Sequence, residues 1–181
     1  MVCAEDVISI YQSLVANGIQ AWLTGGWGID ALLRGQTRPH KDLDLIMLVD
    51  DVVRMRDLLG RGGYGLKKLW SENRWVVDAH GSEIPTAFVL RGSEGREIDV
   101  HAMRFDDQGN GVPAWEADEG LVFKKEDLAG GGVIGGIAVR CLSLEMQILC
   151  HTGYDLPDEQ RRDMELLLVR ASGGGSLRKR A

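Results

Sequence analysis

Two aspartates, Asp42 and Asp44, lie one residue apart in the run "HKDLDLIML". Read as a β-strand, that spacing sets both carboxylates on one face, about 7 Å apart at roughly 3.3 Å of rise per residue. Two like charges on one face repel unless cations neutralise them. Mg²⁺ takes oxygen ligands and is commonly held by one or two carboxylates together with substrate phosphates. Two such ions can clamp the attacking and leaving oxygens of an in-line displacement at phosphorus. A third carboxylate, Asp99, sits between apolar Ile98 and Val100 in "REIDVHA". It can complete a metal shell or accept a proton from an attacking hydroxyl. Gly25-Gly26 closes the apolar run "IQAWLT". Such a step lets backbone N–H groups and a following helix N-terminus approach a phosphate. Alone, the aspartate pair reads equally well as a solvated strand face, and the glycine pair as an ordinary turn. In this order, the three features point to chemistry on phosphate.

These residues need elements to hold them. Val7, Ile10, Tyr11, Leu14 and Val15 keep helical spacing, and Asn17-Gly18 supplies a stop. "IQAWLT" reads as a buried strand, followed by a short helix from near Trp27 to Gly35, and the Asp42 strand comes next. A helix over about Asp51 to Leu59 precedes the strands "RWVVDA", "TAFVLR" and "REIDVHA", the last two joined by the turn "GSEG". Ile98, Val100 and Ala102 then share one face; Glu97, Asp99 and His101 share the other. Residues 106 to 120 read as a loop, and "AGGGVIGG" as turns flanking a strand that runs to Val139 or Cys141. Ser143 is placed to cap a helix through His151. Pro157 suits the first turn of a last helix, with Met164, Leu167, Leu168 and Ala171 inward. The order predicts an α+β fold, a mixed sheet flanked by helices. One domain is expected over 1–171, with the helices from about 143 as a candidate substrate lobe and 172–181 as a flexible basic tail.

The chain has 181 residues, 44% of them hydrophobic, enough for a core. Its net charge of −6 includes a basic end, so the body is more acidic still. That disfavours nucleic acid as partner and suits a small or cationic substrate, or one brought in with metal ions. Cys3, Cys141 and Cys150 form no C-x-x-C pair and read as free thiols in a reducing compartment. The acidic start does not resemble a signal peptide, and no apolar run approaches the ~18 residues of a membrane helix. A soluble, cytoplasmic protein with no membrane partner is expected.

The run "WLTGGWGIDALLRGQTRPHKDLDLIM" resembles the signature of the small antibiotic nucleotidyltransferases, within the polymerase-β-like superfamily. It is most similar to the lincosamide nucleotidyltransferases, and next to the small aminoglycoside adenylyltransferases. The likeness continues through "REIDVHAM" and "VRCLSLEMQILCHTGYDLPDEQRRDMELL", covering about Trp22 to Leu168. It implies that a substrate hydroxyl attacks the α-phosphorus of a nucleoside triphosphate, ATP by preference, with release of pyrophosphate. Gly25 and Gly26 would face the triphosphate. Asp42 and Asp44 would bind Mg²⁺, and Asp99 would be both third carboxylate and general base. Arg38 and His40 would help to bind phosphate, or serve structurally.

The same run contains Trp27, a wall of the nucleotide site or core packing, and Asp30, spaced for an i, i+4 ion pair with Arg34. His101 shares the Asp99 face. Tyr154 and Asp155 read equally as contacts for the acceptor or as a structural turn. Where relatives tend to carry an arginine this chain has Ala87. That moves any phosphate-neutralising role to Arg74, Arg91 or Lys68. The expected acceptor is a small hydroxyl-bearing antibiotic, a lincosamide ahead of an aminoglycoside, and a homodimer is compatible with the reading. The alternatives are a non-catalytic nucleotide-binding module of the same fold, a sensor or toxin–antitoxin partner, and a metal-dependent glycosyltransferase, which also uses D-x-D.

Overall fold

The apolar stripe Val7, Ile10, Tyr11, Leu14 does form a buried helix face, on α1 (Ala4–Ala16), while Val15 falls outside it and stays exposed. The computed structural model describes residues 1–152 and 155–174. After α1 come β1 (Ala21–Thr24), α2 (Gly25–Leu33), β2 (Asp42–Leu48) and α3 (Val52–Arg61). Then follow β3 (Gly65–Leu69), β4 (Trp75–Val77), β5 (Glu83–Pro85), β6 (Ala87–Arg91), β7 (Glu97–Phe105) and β8 (Gly111–Pro113). The remainder is α4 (Lys125–Leu128), a hairpin of β9 (Gly131–Ile134) and β10 (Ile137–Arg140), α5 (Leu144–Cys150) and α6 (Asp158–Gly174). The architecture is the expected mixed sheet with helices. β3 and β5 are additions to the sequence reading, β8 falls within the 106–120 segment read as a loop, and β9 within the glycine-rich run read as turns.

The main sheet runs β1-β2-β7-β6-β3, with β8 against β7. β2 and β7 are parallel; the neighbouring pairs are antiparallel. Strand alternation sorts the side chains. Leu43, Leu45 and Met47 of β2 and Ile98, Val100 and Ala102 of β7 point to one face. There they are buried in one core cluster with Val7 and Leu14 of α1 and Val52 and Met55 of α3. The opposite face is apolar only further along, where Ile46 and Met103 are covered by Trp22, Phe123, Leu142 and Met146. The near half of that face carries Asp42, Asp44, Asp99 and His101. Fully burying one Leu, Ile or Met stabilises by about 1.5–3 kcal/mol. Two unit charges ~7 Å apart cost about 2 kcal/mol at an effective dielectric of ~20. Leu43, Leu45, Met47 and Ile98 beneath thus anchor the two strands that carry the charged face.

The last two helices follow their predicted signals, except that Pro157 stands just before α6 and not in its first turn, its carbonyl accepting from the Arg161 N–H at 3.0 Å, and that the predicted inward stripe is only half buried. Ser143 caps α5, its Oγ accepting from the Met146 N–H at 3.1 Å. Met164 and Leu167 of α6 are buried against Ile29 of α2, but Leu168 and Ala171 are exposed. Only one narrow stripe of α6 meets α2, and those two residues fall beyond its edge. Residues 172–174, assigned from sequence to the tail, continue α6; the rest of that segment and Tyr154 lie outside the described residues.

Candidate active site

The uncovered half of the sheet forms the floor of a cleft of about 660 Å³. Asp42, Asp44 and Asp99 all line it, together with Gly25, Gly26, Arg38 and His40. The sequence-selected residues are thus brought to one place. Asp44 and Asp99 are directly paired across β2 and β7, and Asp42 is paired with Glu97. Burial raises the Asp44 carboxyl well above the usual range, and the charges of Asp42 and Asp99 add to it against the pull of Arg38. Asp99 is raised by burial as well, with Asp42 adding to it, while His101, Trp70 and Lys68 act the other way.

The glycine pair ends β1 and opens a helix, as its sequence reading has it, with α2 beginning at Gly25 itself instead of near Trp27 and Thr24 as N-cap. A helix N-terminus leaves its first N–H groups without intrahelical partners. Gly25 has φ +57°, and a β-carbon there would overlap the Asp44 carboxylate. A β-carbon on Gly26 would overlap the His40 imidazole. The two glycines therefore let the helix start rest directly on the cleft floor.

His40 is buried, its Nε2 2.5 Å from Asp30 Oδ2, and its ring lies 4.8 Å from that of Trp27. Trp27 is core, 1% exposed. Asp30 does not pair with Arg34. It points inward, where Thr37 donates to it through both N–H (3.0 Å) and Oγ1 (2.8 Å). Arg34 caps α2 in the left-handed region at φ 61°, which breaks the helical spacing the ion pair required. Arg38 reaches the opposite wall. Its Nε donates to Asp163 of α6 at 2.9 Å, and Nη1 lies 3.6 Å from Glu159.

Several lining residues carried no sequence signal. Glu72, in the loop after β3, has Oε1 3.3 Å from His101 Nε2, and His101 Nδ1 lies 3.4 Å from Asp99. Lys41 joins the lining, as do Cys150, Glu159 and Gln160. Burial pushes the Cys150 thiol up to about 11. Of the cations proposed in place of an arginine at Ala87, Arg74 pairs with Glu116 at 3.3 Å and Arg91 with Glu97 at 3.7 Å. Lys68 makes no ion pair among the described residues; its Nζ lies 3.1 Å over the Trp70 ring.

The donor set suits Mg²⁺, since the three carboxylates offer only hard oxygen ligands. The carboxylates are not gathered in advance. Among the described residues, no three His, Cys, Asp or Glu side chains already meet as a metal-binding group. Among the same residues, no helix is long and apolar enough to cross a membrane.

A lincosamide resistance protein from Staphylococcus haemolyticus is 27% identical over 146 residues, 81% of this chain and 82% of that one. The lincomycin-bound structure of the lincosamide adenylyltransferase LnuA matches with a TM-score of 0.74 at 25% identity, over 92% of this chain and 96% of that one. ANT(2″)-Ia, in complex with adenylyl-2″-tobramycin, matches in fold with a TM-score of 0.69 at 20% identity, over 93% and 88%. The family described as aminoglycoside-2″-adenylyltransferase matches residues 6–167. The chain therefore belongs to that family and is a nucleotidyltransferase of the antibiotic-adenylyltransferase type.

Proposed function

We propose that the protein transfers a nucleoside monophosphate from a nucleoside triphosphate, ATP by preference, to a hydroxyl of a small-molecule antibiotic, releasing pyrophosphate. The observation that carries this reading is the direct pairing of Asp44 with Asp99 on the open face, beneath the first turn of α2. Asp42, Asp44 and Asp99 would hold Mg²⁺. Bound there, Mg²⁺ supplies charge neutralisation for the phosphates and for the carboxylate row. The N–H groups at the start of α2, at Gly25 and Gly26, face the phosphates, with Arg38 beside them. His40 supports that turn from below. Asp99 takes the proton of the acceptor hydroxyl as its oxygen bonds to the α-phosphorus and the bond to pyrophosphate breaks.

α5 and α6 form the acceptor-side wall, the substrate lobe of the one domain. A lincosamide is the favoured acceptor, supported by the higher identity and TM-score to the lincosamide relatives. An aminoglycoside is the second reading, favoured by the family match and by Glu72 and Glu159 on facing walls of the cleft. The reaction suits a cytoplasmic enzyme, where nucleoside triphosphates are supplied. Incubation with ATP or GTP, Mg²⁺ and a panel including lincomycin and tobramycin, read by mass spectrometry, should yield one nucleotidylated product. Folded protein giving no product across the panel overturns the reading.

A further inference from the structure

The side chain that holds Asp99 comes from an edge of the sheet with no apolar signal. Trp70 follows β3, whose residues are all exposed. It belongs to none of the apolar clusters, so core packing does not fix it. Its backbone does: Trp70 N–H donates to the Ala87 carbonyl at 3.1 Å. The following loop is clamped to the same strand by Asn73, whose Oδ1 accepts from the N–H groups of Thr86 and Ala87 at 2.9 and 3.1 Å. The indole N–H then reaches both Asp99 oxygens, at 2.9 and 3.0 Å. Among the described residues no other group hydrogen-bonds to that carboxylate, His101 lying further off at 3.4 Å.

The geometry is suited to orientation. One N–H shared between two oxygens uses little of a carboxylate that has about four lone-pair sites. Both oxygens keep capacity toward the cleft. An indole has two side-chain torsions to fix, and Lys68 Nζ on its face restrains them further. Lys68 and Asp99 share a face through register, Lys68 pairing with Val89 and Val89 with Asp99.

We propose that Trp70 is a positioning residue, holding Asp99 where it can accept the proton of the acceptor hydroxyl; this rests on the role given to Asp99 above. The first test needs no turnover. The ¹H–¹⁵N spectrum should show indole resonances for the five tryptophans, assigned by through-bond experiments. Asp99→Ala should move the Trp70 resonance upfield and quicken its exchange, leaving the other four in place. An unmoved Trp70 resonance overturns the proposal. The second test is kinetic. Trp70→Phe keeps the ring and the Lys68 contact but loses the N–H. Its kcat should fall about 10- to 100-fold, the range for removing an orienting partner, with KM for the nucleotide little changed. Wild-type kcat in Trp70→Phe, with Asp99→Asn inactive, overturns the positioning role and leaves the base standing. Wild-type kcat in Asp99→Asn overturns the base itself, and the proposal with it.

Discussion

Asp44 and Asp99 stand directly opposite one another on the parallel strands β2 and β7, and both are held above the ordinary carboxylate range, first by burial and then by like charge. The folded protein therefore binds protons more tightly here than the unfolded chain does. Stability from these groups is full below the ordinary carboxylate pKa and is lost as pH rises through their raised values. Each tenfold difference in proton affinity is worth about 1.4 kcal/mol. In chelator-containing buffer, thermal melts should show wild-type stability falling over that window. Asp44→Asn should flatten the slope and melt higher than wild type at neutral pH, while losing turnover. A variant melting below wild type would contradict the electrostatic reading.

Gly26 has no room for a side chain because the His40 imidazole occupies it. Gly26→Ala should cost about 1–3 kcal/mol through overpacking, measured by denaturant titration. Gly25→Ala should cost at least as much stability, because its φ of +57° penalises any side chain and its β-carbon would overlap Asp44, and it should lower turnover as well because that overlap lies at the cleft floor. Equal turnover for Gly25→Ala and wild type would remove the need for close approach there.

Asp30 and His40 depend on each other inside the protein, whereas Arg34 does not enter their network. Asp30→Ala should destabilise by about 1–3 kcal/mol, the cost of leaving buried polar groups unpaired. Arg34→Ala should stay within about 0.5 kcal/mol of wild type. Arg34→Gly should be stabilising, by up to about 1 kcal/mol, because only glycine enters the left-handed region without a steric penalty. Calorimetric melts of the three variants check all of this.

Arg38 joins the cleft to α6 through Asp163, which is 1% exposed. Asp163→Ala should free Arg38 and loosen the wall that carries Glu159 and Gln160. The expected result is a KM for the acceptor raised about tenfold, roughly 1.4 kcal/mol, with a smaller change in KM for the nucleotide. Steady-state kinetics with each substrate varied in turn will separate the two.

The floor of the site was legible because alternation leaves a plain mark. Leu43, Leu45 and Met47 against Asp42 and Asp44, and Ile98 and Val100 against Asp99, could be sorted by face from spacing alone. β3 could not. It is an edge strand with every residue exposed, and its register shifts between Leu66 and Lys68, so no period of two survives. Trp70 and Glu72, which follow it, were lost with it. The Asp30–Arg34 spacing misled because a helical offset holds only while the helix lasts, and Arg34 is where α2 stops. Asp163 sits beside the apolar stripe of α6, and only the packing of α6 on α2 shows it to be buried.

Among the described residues, β2 and β7 are the one parallel strand pair of the sheet, and no hairpin can bring them together. The chain must lay down α3 through β6 before β7 can dock beside β2. Pairings so distant in sequence pay loop-closure entropy early and form slowly. The opposed carboxylates lie on this junction, so their repulsion acts on the docking of the two strands as well as on the finished site. A divalent cation held by these carboxylates would then stabilise the docked strands themselves, and a chelator would remove that contribution before any substrate is involved.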